Sequence, residues 1–331
     1  MKRSIALVLL AGLVVSACGG AGLPGLGGGP KIGMVTDIGQ LEDKSFNEFS
    51  WKGVQDGAKA VGGNATVVVT KDTADYAANI QSLVDQKFDV IVTVGFLIGS
   101  DTLKAAQANP NVQFFGIDQF VADPAPANYQ GLLFAENQAG YLAGIVAANI
   151  TKSNTIGAVG GVSAVPPVVA FIKGYEAGAK AEKPNIKVLV NYTEDFNAPD
   201  KGEASAKTMI GQGADVIFQV AGLTGAGALR AACNANVWGI GVDVDQYLSL
   251  PDAQKCIVTS AEKKLQVAAN DAIKRWKDSG KQGGNFFNDA KNGGIAASPI
   301  RNISPVPAGL QAKLDKALAD MKAGTLNPPS K

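Results

Sequence analysis

The residues with the clearest chemistry gather at one junction. In VTDIGQLEDKSFNEFSWKG (Val35–Gly53) a short apolar strand runs into an acidic turn and then a helix, which brings Asp37, Asp43, Phe46 and Asn47 close together. An ionised carboxylate only accepts hydrogen bonds and an amide both donates and accepts. An aromatic ring offers a flat apolar wall. Together they suit a small planar guest bearing hydroxyl or N–H groups. Phe46 reads either as that wall or as a core residue three positions before Phe49. Asp43 is expected to order the turn, and Ser45 with Glu48 fits a capping box that starts the helix.

Two more aspartates end apolar runs farther along, Asp118 in VQFFGIDQF and Asp243 in VWGIGVDVDQY, with Asp245 able to replace or support the latter. A hydrogen bond to a charged group contributes roughly 1.5–3 kcal/mol. Two or three would supply much of the ~8 kcal/mol of micromolar binding. In CIVTSAEK, Ser260 reads as a helix cap and Lys263 as a first-turn residue, where the helix dipole disfavours a cation by about 0.3–1 kcal/mol. Lys263 is therefore expected to find a carboxylate or a ligand, with simple exposure to water as the competing reading, whereas Lys264 is expected to be a solvated charge. The segment AGLTGAG (Ala221–Gly227) permits close backbone approach at Gly222, but has neither dinucleotide-loop spacing nor a phosphate-loop lysine.

These groups need a frame that presents strand ends. From Lys31 onward, short β-branched runs alternate with helix-length amphipathic segments, the pattern of parallel α/β units. The pattern repeats: KFDVIVTVGF (Lys87–Phe96) matches GADVIFQVAG (Gly213–Gly222), VQFFGIDQF matches VWGIGVDVDQY, and Ile32-Gly33 matches Ile156-Gly157. Two doubly wound lobes in tandem are expected, with ligand at the carboxyl ends of the strands in a shared cleft. Repeat symmetry makes Asp118 and Asp243 counterparts, one carboxylate from each lobe.

Composition narrows the function. The chain of 331 residues is 46% hydrophobic, has formal charge +1 and contains no histidine. Absence of histidine removes Ser-His-Asp catalysis and most zinc hydrolysis. Without a basic run, nucleic acid is not an expected partner. Ser260-Ala261-Glu262-Lys263 is an S-x-x-K string, the sharpest enzymatic alternative, but the S-D-N and K-T-G companions of serine acyltransferases are missing. No cofactor or metal is implied.

At the N-terminus, Lys2 and Arg3 precede an apolar run from Ile5 to Val15, then Ser16-Ala17-Cys18, which reads as a secretory signal over residues 1–17. The run is shorter than the about 20 residues of a membrane span. Val15-Ser16-Ala17-Cys18 resembles the bacterial lipobox, which implies lipidation at Cys18 and a glycine-rich tether to residue 30. A lipid-anchored protein on the extracytoplasmic face of the cell membrane is expected, with the acyl group as its only membrane contact. Export would permit a Cys233–Cys256 disulfide, and two buried thiols are the equal alternative.

Taken in order, DIGQLEDKSFNEFSWKG, YLAGIVAA, IGAVGG, FIKGYEAGAK, GADVIFQVAGLTGAG, IGVDVDQY and TSAEK resemble the basic-membrane-protein family of PnrA-like nucleoside-binding lipoproteins, over essentially the whole mature chain. The resemblance implies a type I periplasmic-binding fold, α/β with two Rossmann-like lobes. The implied function is capture of a nucleoside, purine favoured, by hinge closure and delivery to an ABC permease. A monomer is expected. The family's ligand-binding roles map to Asp37, Phe46, Asn47, Asp118, Gly222, Asp243 or Asp245, and Lys263. Where some members carry a base-stacking aromatic, Gln219-Val220 stands here, which leaves base preference open. By analogy the lobes divide as 31–134 plus 260–287, and 135–259 plus 288–331. A sugar or signal-molecule receptor on the same fold is the competing reading.

Overall fold

A computed structural model describes residues 28–331. The signal and the lipobox cysteine, Cys18, lie outside them. In chain order the first elements are β1 (Lys31–Val35), α1 (Phe46–Ala60), β2 (Asn64–Val68), α2 (Tyr76–Asp85), β3 (Val90–Val94), α3 (Gly99–Ala108), β4 (Gln113–Ile117) and β5 (Tyr129–Phe134). There follow α4 (Glu136–Ile150), β6 (Thr155–Gly160), α5 (Pro166–Glu182), β7 (Lys187–Tyr192), α6 (Pro199–Gly211), β8 (Val216–Val220), α7 (Gly222–Asn234), β9 (Trp238–Asp243) and α8 (Gln246–Ser249). The chain ends with β10 (Ile257–Lys263), α9 (Leu265–Ser279), β11 (Gly284–Asn288), β12 (Ile295–Ala297) and α10 (Leu310–Ala323).

Two six-stranded sheets form, in the orders β11-β5-β4-β3-β1-β2 and β12-β10-β9-β8-β6-β7. One order maps onto the other strand for strand, so the sequence repeat is a repeat of topology. All pairings are parallel except β10 with β12. Every residue of β3, β4 and β8 is buried, as expected of central strands covered on both faces.

The chain crosses between sheets three times: after Phe134, after Lys263, and between Asn288 and Ile295. This corrects the division expected at residue 260. Ser260–Lys263 pair with β9 and β12 and so belong to the second sheet. The chain crosses to the first lobe at Lys264, ahead of α9, which packs on α1. The capping expected of Ser260 is absent for the same reason. Strand propensity in CIVTS carries on to Lys263, so that residue ends a strand and α9 begins only at Leu265.

The α4–α5 pair sets one wall of the site. A Cβ on Gly140 would lie 2.1 Å from the carbonyl oxygen of Phe171, and one on Gly178 would lie 2.1 Å from that of Tyr141. Only glycine allows backbones this close, which explains the small-residue spacing of YLAGIVAA and FIKGYEAGAK. The contact fixes Glu136 at the start of α4 and Phe171 on α5 relative to each other.

Candidate functional site

The ends of the strands converge on one cavity between the lobes. Asp37, Asp43, Phe46, Asn47 and Asp118 line it from the first lobe, and Phe171, Phe196, Gly222, Asp243 and Lys263 from the second. Seven of the eight residues expected to bind ligand are thus brought together. Asp245 is not among the lining residues. It is held in a two-pronged pair with Arg301, at 2.7 Å on each side, and Arg301 stacks over Tyr247.

Asp118 and Asp243 occupy equivalent positions just where β4 and β9 end, both in left-handed backbone, with φ of 61° and 65°. That conformation is uncommon for a residue with a side chain and carries strain. It turns each carboxylate off its sheet toward the cavity. Gln119 and Gln246, a little farther on, brace the turns from inside: the Gln119 amide donates to the Gly95 carbonyl, and Val242 N–H donates to Gln246 Oε1.

Lys263 joins the two halves. Its Nζ lies 2.5 Å from Asp118 Oδ2, 3.6 Å from Glu136 Oε1 and 3.9 Å from Asp243 Oδ1. The Phe46, Phe134 and Phe171 ring centroids stand 4.6, 5.4 and 5.7 Å away. Burial favours the neutral amine, but Asp118, Asp243 and Glu136 outweigh it and raise the lysine above its ordinary value. Asp118 Oδ1 is buried without a partner and awaits a donor.

Asp37 accepts from the Tyr76 hydroxyl at 2.5 Å and from Ile38 N–H at 2.8 Å, both on Oδ1. No described residue donates to its Oδ2. Burial pushes its carboxyl up to about 6, with Tyr76 and Ile38 holding it back. Asn47 Oδ1 accepts from Asp37 N–H, which leaves the Asn47 amide nitrogen weakly engaged, at 3.3 Å from the Gln40 carbonyl.

The expected capping box is absent, and the reason bears on the site. Asp43 caps α1 instead, accepting from the backbone N–H groups of Ser45, Asn47 and Glu48 at 2.8–3.2 Å. Burial still dominates and pushes Asp43 up to about 7. Glu48 pairs with Lys52 and Lys44. Ser45 is thereby released to donate across the cleft to Asp243 Oδ2 at 2.7 Å, while the Ser249 hydroxyl donates back to the Lys44 carbonyl at 2.7 Å. These bonds and the Lys263–Asp118 pair tie the lobes together across the cleft.

Four participants escaped the sequence reading, among them Phe171, which stood out only as part of the glycine-spaced α5 segment. Phe196 lies in the loop after β7, held by Thr224 N–H on its carbonyl, with Gly161 against its ring. A single aromatic in a polar stretch after a strand was the available signal. Glu136 closes the apolar run GLLFAE, a strand-end acid like the aspartates, and was not read as one. Tyr76 had no distinguishing neighbour. Gln219, by contrast, is fully buried and bonded to Ala221 N–H and Gln246, so it takes no part in the cavity. Ser260 is likewise buried in mid-strand, its hydroxyl accepting from Gln246 N–H at 3.0 Å. An odd offset along a strand sends Ser260 and Lys263 to opposite faces, which dismantles the S-x-x-K reading. Cys233 and Cys256 are joined in a disulfide. Among the described residues no His/Cys/Asp/Glu group is arranged to hold a metal ion, and no helix is long and apolar enough to cross a membrane.

Two matching lobes, three crossings and an interlobe cavity of this kind define a type I periplasmic-binding fold, the class of solute-binding proteins and their regulatory cousins. The solved solute-binding protein of Aeropyrum pernix superposes with a TM-score of 0.81 at 24% identity, over 91% of this chain and 94% of that one. The family model for the PnrA-like ABC transporter substrate-binding proteins matches residues 31–320, and the chain belongs to that family. It is 32% identical to an ABC transporter nucleoside-binding protein of Lactococcus lactis, over 91% of this chain and 89% of that protein. It is 31% identical to basic membrane protein A of Borreliella burgdorferi, over 95% and 92%. The family is one of transporter substrate-binding proteins and not of enzymes.

Proposed function

We propose that this chain captures a nucleoside, with purines favoured, and presents it to an ABC permease in the closed form. The observation that carries this reading is the composition of the cavity: aromatic side chains from both lobes, Phe46 and Phe196, beside Asp37, Asp118 and Asp243. A base fits between rings, and ribose hydroxyls are donors for carboxylates. Asp118 Oδ1, buried and unpartnered, is the acceptor most in need of such a donor. Asp37 and the Asn47 amide, which line the same cavity, read polar atoms at the edge of the base. Lys263 neutralises part of the acid and bridges the lobes.

The nucleoside-binding relative from Lactococcus lactis supports the same reading. The lipobox at Cys18 supports attachment outside the cell membrane, in keeping with a 31% identical lipoprotein of Pyrococcus abyssi. Titration calorimetry of the full chain with guanosine, adenosine, inosine, uridine and ribose tests the proposal. Micromolar or tighter binding of at least one nucleoside, with ribose far weaker, is expected. Failure of every nucleoside to bind overturns it.

A further inference from the structure

Glu136 is buried at the first crossing between lobes, yet it is not among the residues that line the cavity. No donor from another described residue lies within hydrogen-bond distance of its carboxylate. Its one cationic neighbour is Lys263, at 3.6 Å. That ammonium already serves Asp118 at 2.5 Å and stands 3.9 Å from Asp243, so three carboxylates share one positive charge. The other acids of the site are better provided for. Asp43 has three backbone N–H donors, Asp37 has Tyr76 and Ile38, and Asp243 has the Ser45 hydroxyl.

The other lysines on the elements around α4 are engaged elsewhere or face solvent. Lys173 of α5 is paired with Glu176, Lys313 and Lys316 of α10 with Glu182 and Asp320, and Lys264 with Glu262, while Lys180 of α5 and Lys322 of α10 are exposed and β12 carries no charged residue. Surplus negative charge enclosed away from water is unfavourable by several kcal/mol per ion. A proton on one carboxyl removes it.

We propose that closing the cleft takes up a proton from solvent, and that Glu136, at the crossing between the lobes, carries it. The proposal rests on the reading of the cavity as a site that closes around its ligand. Burial raises the Glu136 carboxyl well above the usual carboxylate range, with Lys263 lowering it and Asp118 and Asp243 raising it further. The sign follows from linkage. A group whose pKa is higher in the closed than in the open form favours closure at low pH, and that advantage is lost as pH rises through the neutral range. The protein would grip its ligand more tightly at an acidified surface than in an alkaline one.

Calorimetry of the full chain with guanosine and inosine near pH 7, in phosphate and in Tris, separates proton uptake from binding heat. Uptake of about half to one proton per ligand is expected in the wild type and close to none in Glu136→Gln, whose amide mimics the protonated acid. Affinity of the wild type should fall ~3–10-fold per pH unit as pH rises from mildly acidic through the neutral range and level off above it, and that of the variant should stay flat. Binding heat that does not depend on buffer in the wild type overturns the proposal, as does uptake that persists in the variant. If no nucleoside binds, the functional reading fails on its own account. Solution scattering of the ligand-free protein then decides: a radius of gyration that shrinks from pH 9 to 6 in the wild type but not in the variant supports proton-linked closure, and a pH-independent one overturns it.

Discussion

At the scale of single residues, the site is an unequal contest between burial and pairing around Lys263. Removing the lysine strands Asp118, Asp243 and Glu136 together, so Lys263→Met is expected to cost about 3–5 kcal/mol in urea unfolding, the usual penalty of an orphaned buried charge. On the proposed reading Phe46 and Phe196 stack on the base, each from a ring that also packs against the core of its lobe. Replacing either by alanine should weaken nucleoside binding ~10–100-fold by calorimetry, since a stacked base contributes about 1–3 kcal/mol. Unchanged affinity would remove that ring from the binding surface. The strand-end aspartates were legible because the carboxyl end of a parallel strand is a special place in any doubly wound sheet. Asp245 was misread because Arg301, which holds it, is 56 residues away in the chain. Ser45 was assigned to its own helix because a local hydrogen bond is all that a linear pattern can suggest. Its actual partner, Asp243, lies 198 positions later.

At the scale of elements, the sequence announced helices and strands by period, but it could not announce where one hands over to the other. Lys263 is the instructive case: helix-like spacing and strand-like composition overlap at SAEK, and pairing with β9 and β12 decides for the strand. The edge strands β11 and β12 were not expected. They are short, and their place depends on neighbours supplied by distant segments. The glycine-lined seam between α4 and α5 was visible only as a family pattern until the backbones were seen to touch. Gly144→Leu should lower stability by at least about 1–3 kcal/mol through overpacking, and the melting temperature with it. The disulfide ties the end of α7 to the approach to β10 across 23 residues. Loop-closure entropy for that span is about 3 kcal/mol, so the Cys233→Ala, Cys256→Ala double variant should melt several degrees lower.

For the whole molecule, pH is the informative variable. Burial raises Asp37 to about 6 and Asp43 to about 7, from an ordinary value of 3.8. These two carboxyls therefore hold more protons in the folded than in the unfolded chain between roughly pH 4 and 7, and the stability they contribute is lost as pH rises through that window. Urea midpoints should consequently be higher near pH 5 than near pH 8, and the difference should shrink in Asp43→Asn. A midpoint that climbs with pH would show that these carboxyls are charged at no cost in the native state.

The three crossings have an effect on how the protein comes into being. Each lobe borrows its outermost strand from the far end of the chain, β11 at 284–288 and β12 at 295–297. A nascent polypeptide that has emerged only to residue 280 holds two unfinished sheets with bare edges, so neither half can lock early. Synthesis must be nearly over before either lobe matures, and a chain truncated there should be cut rapidly by protease where the intact one resists.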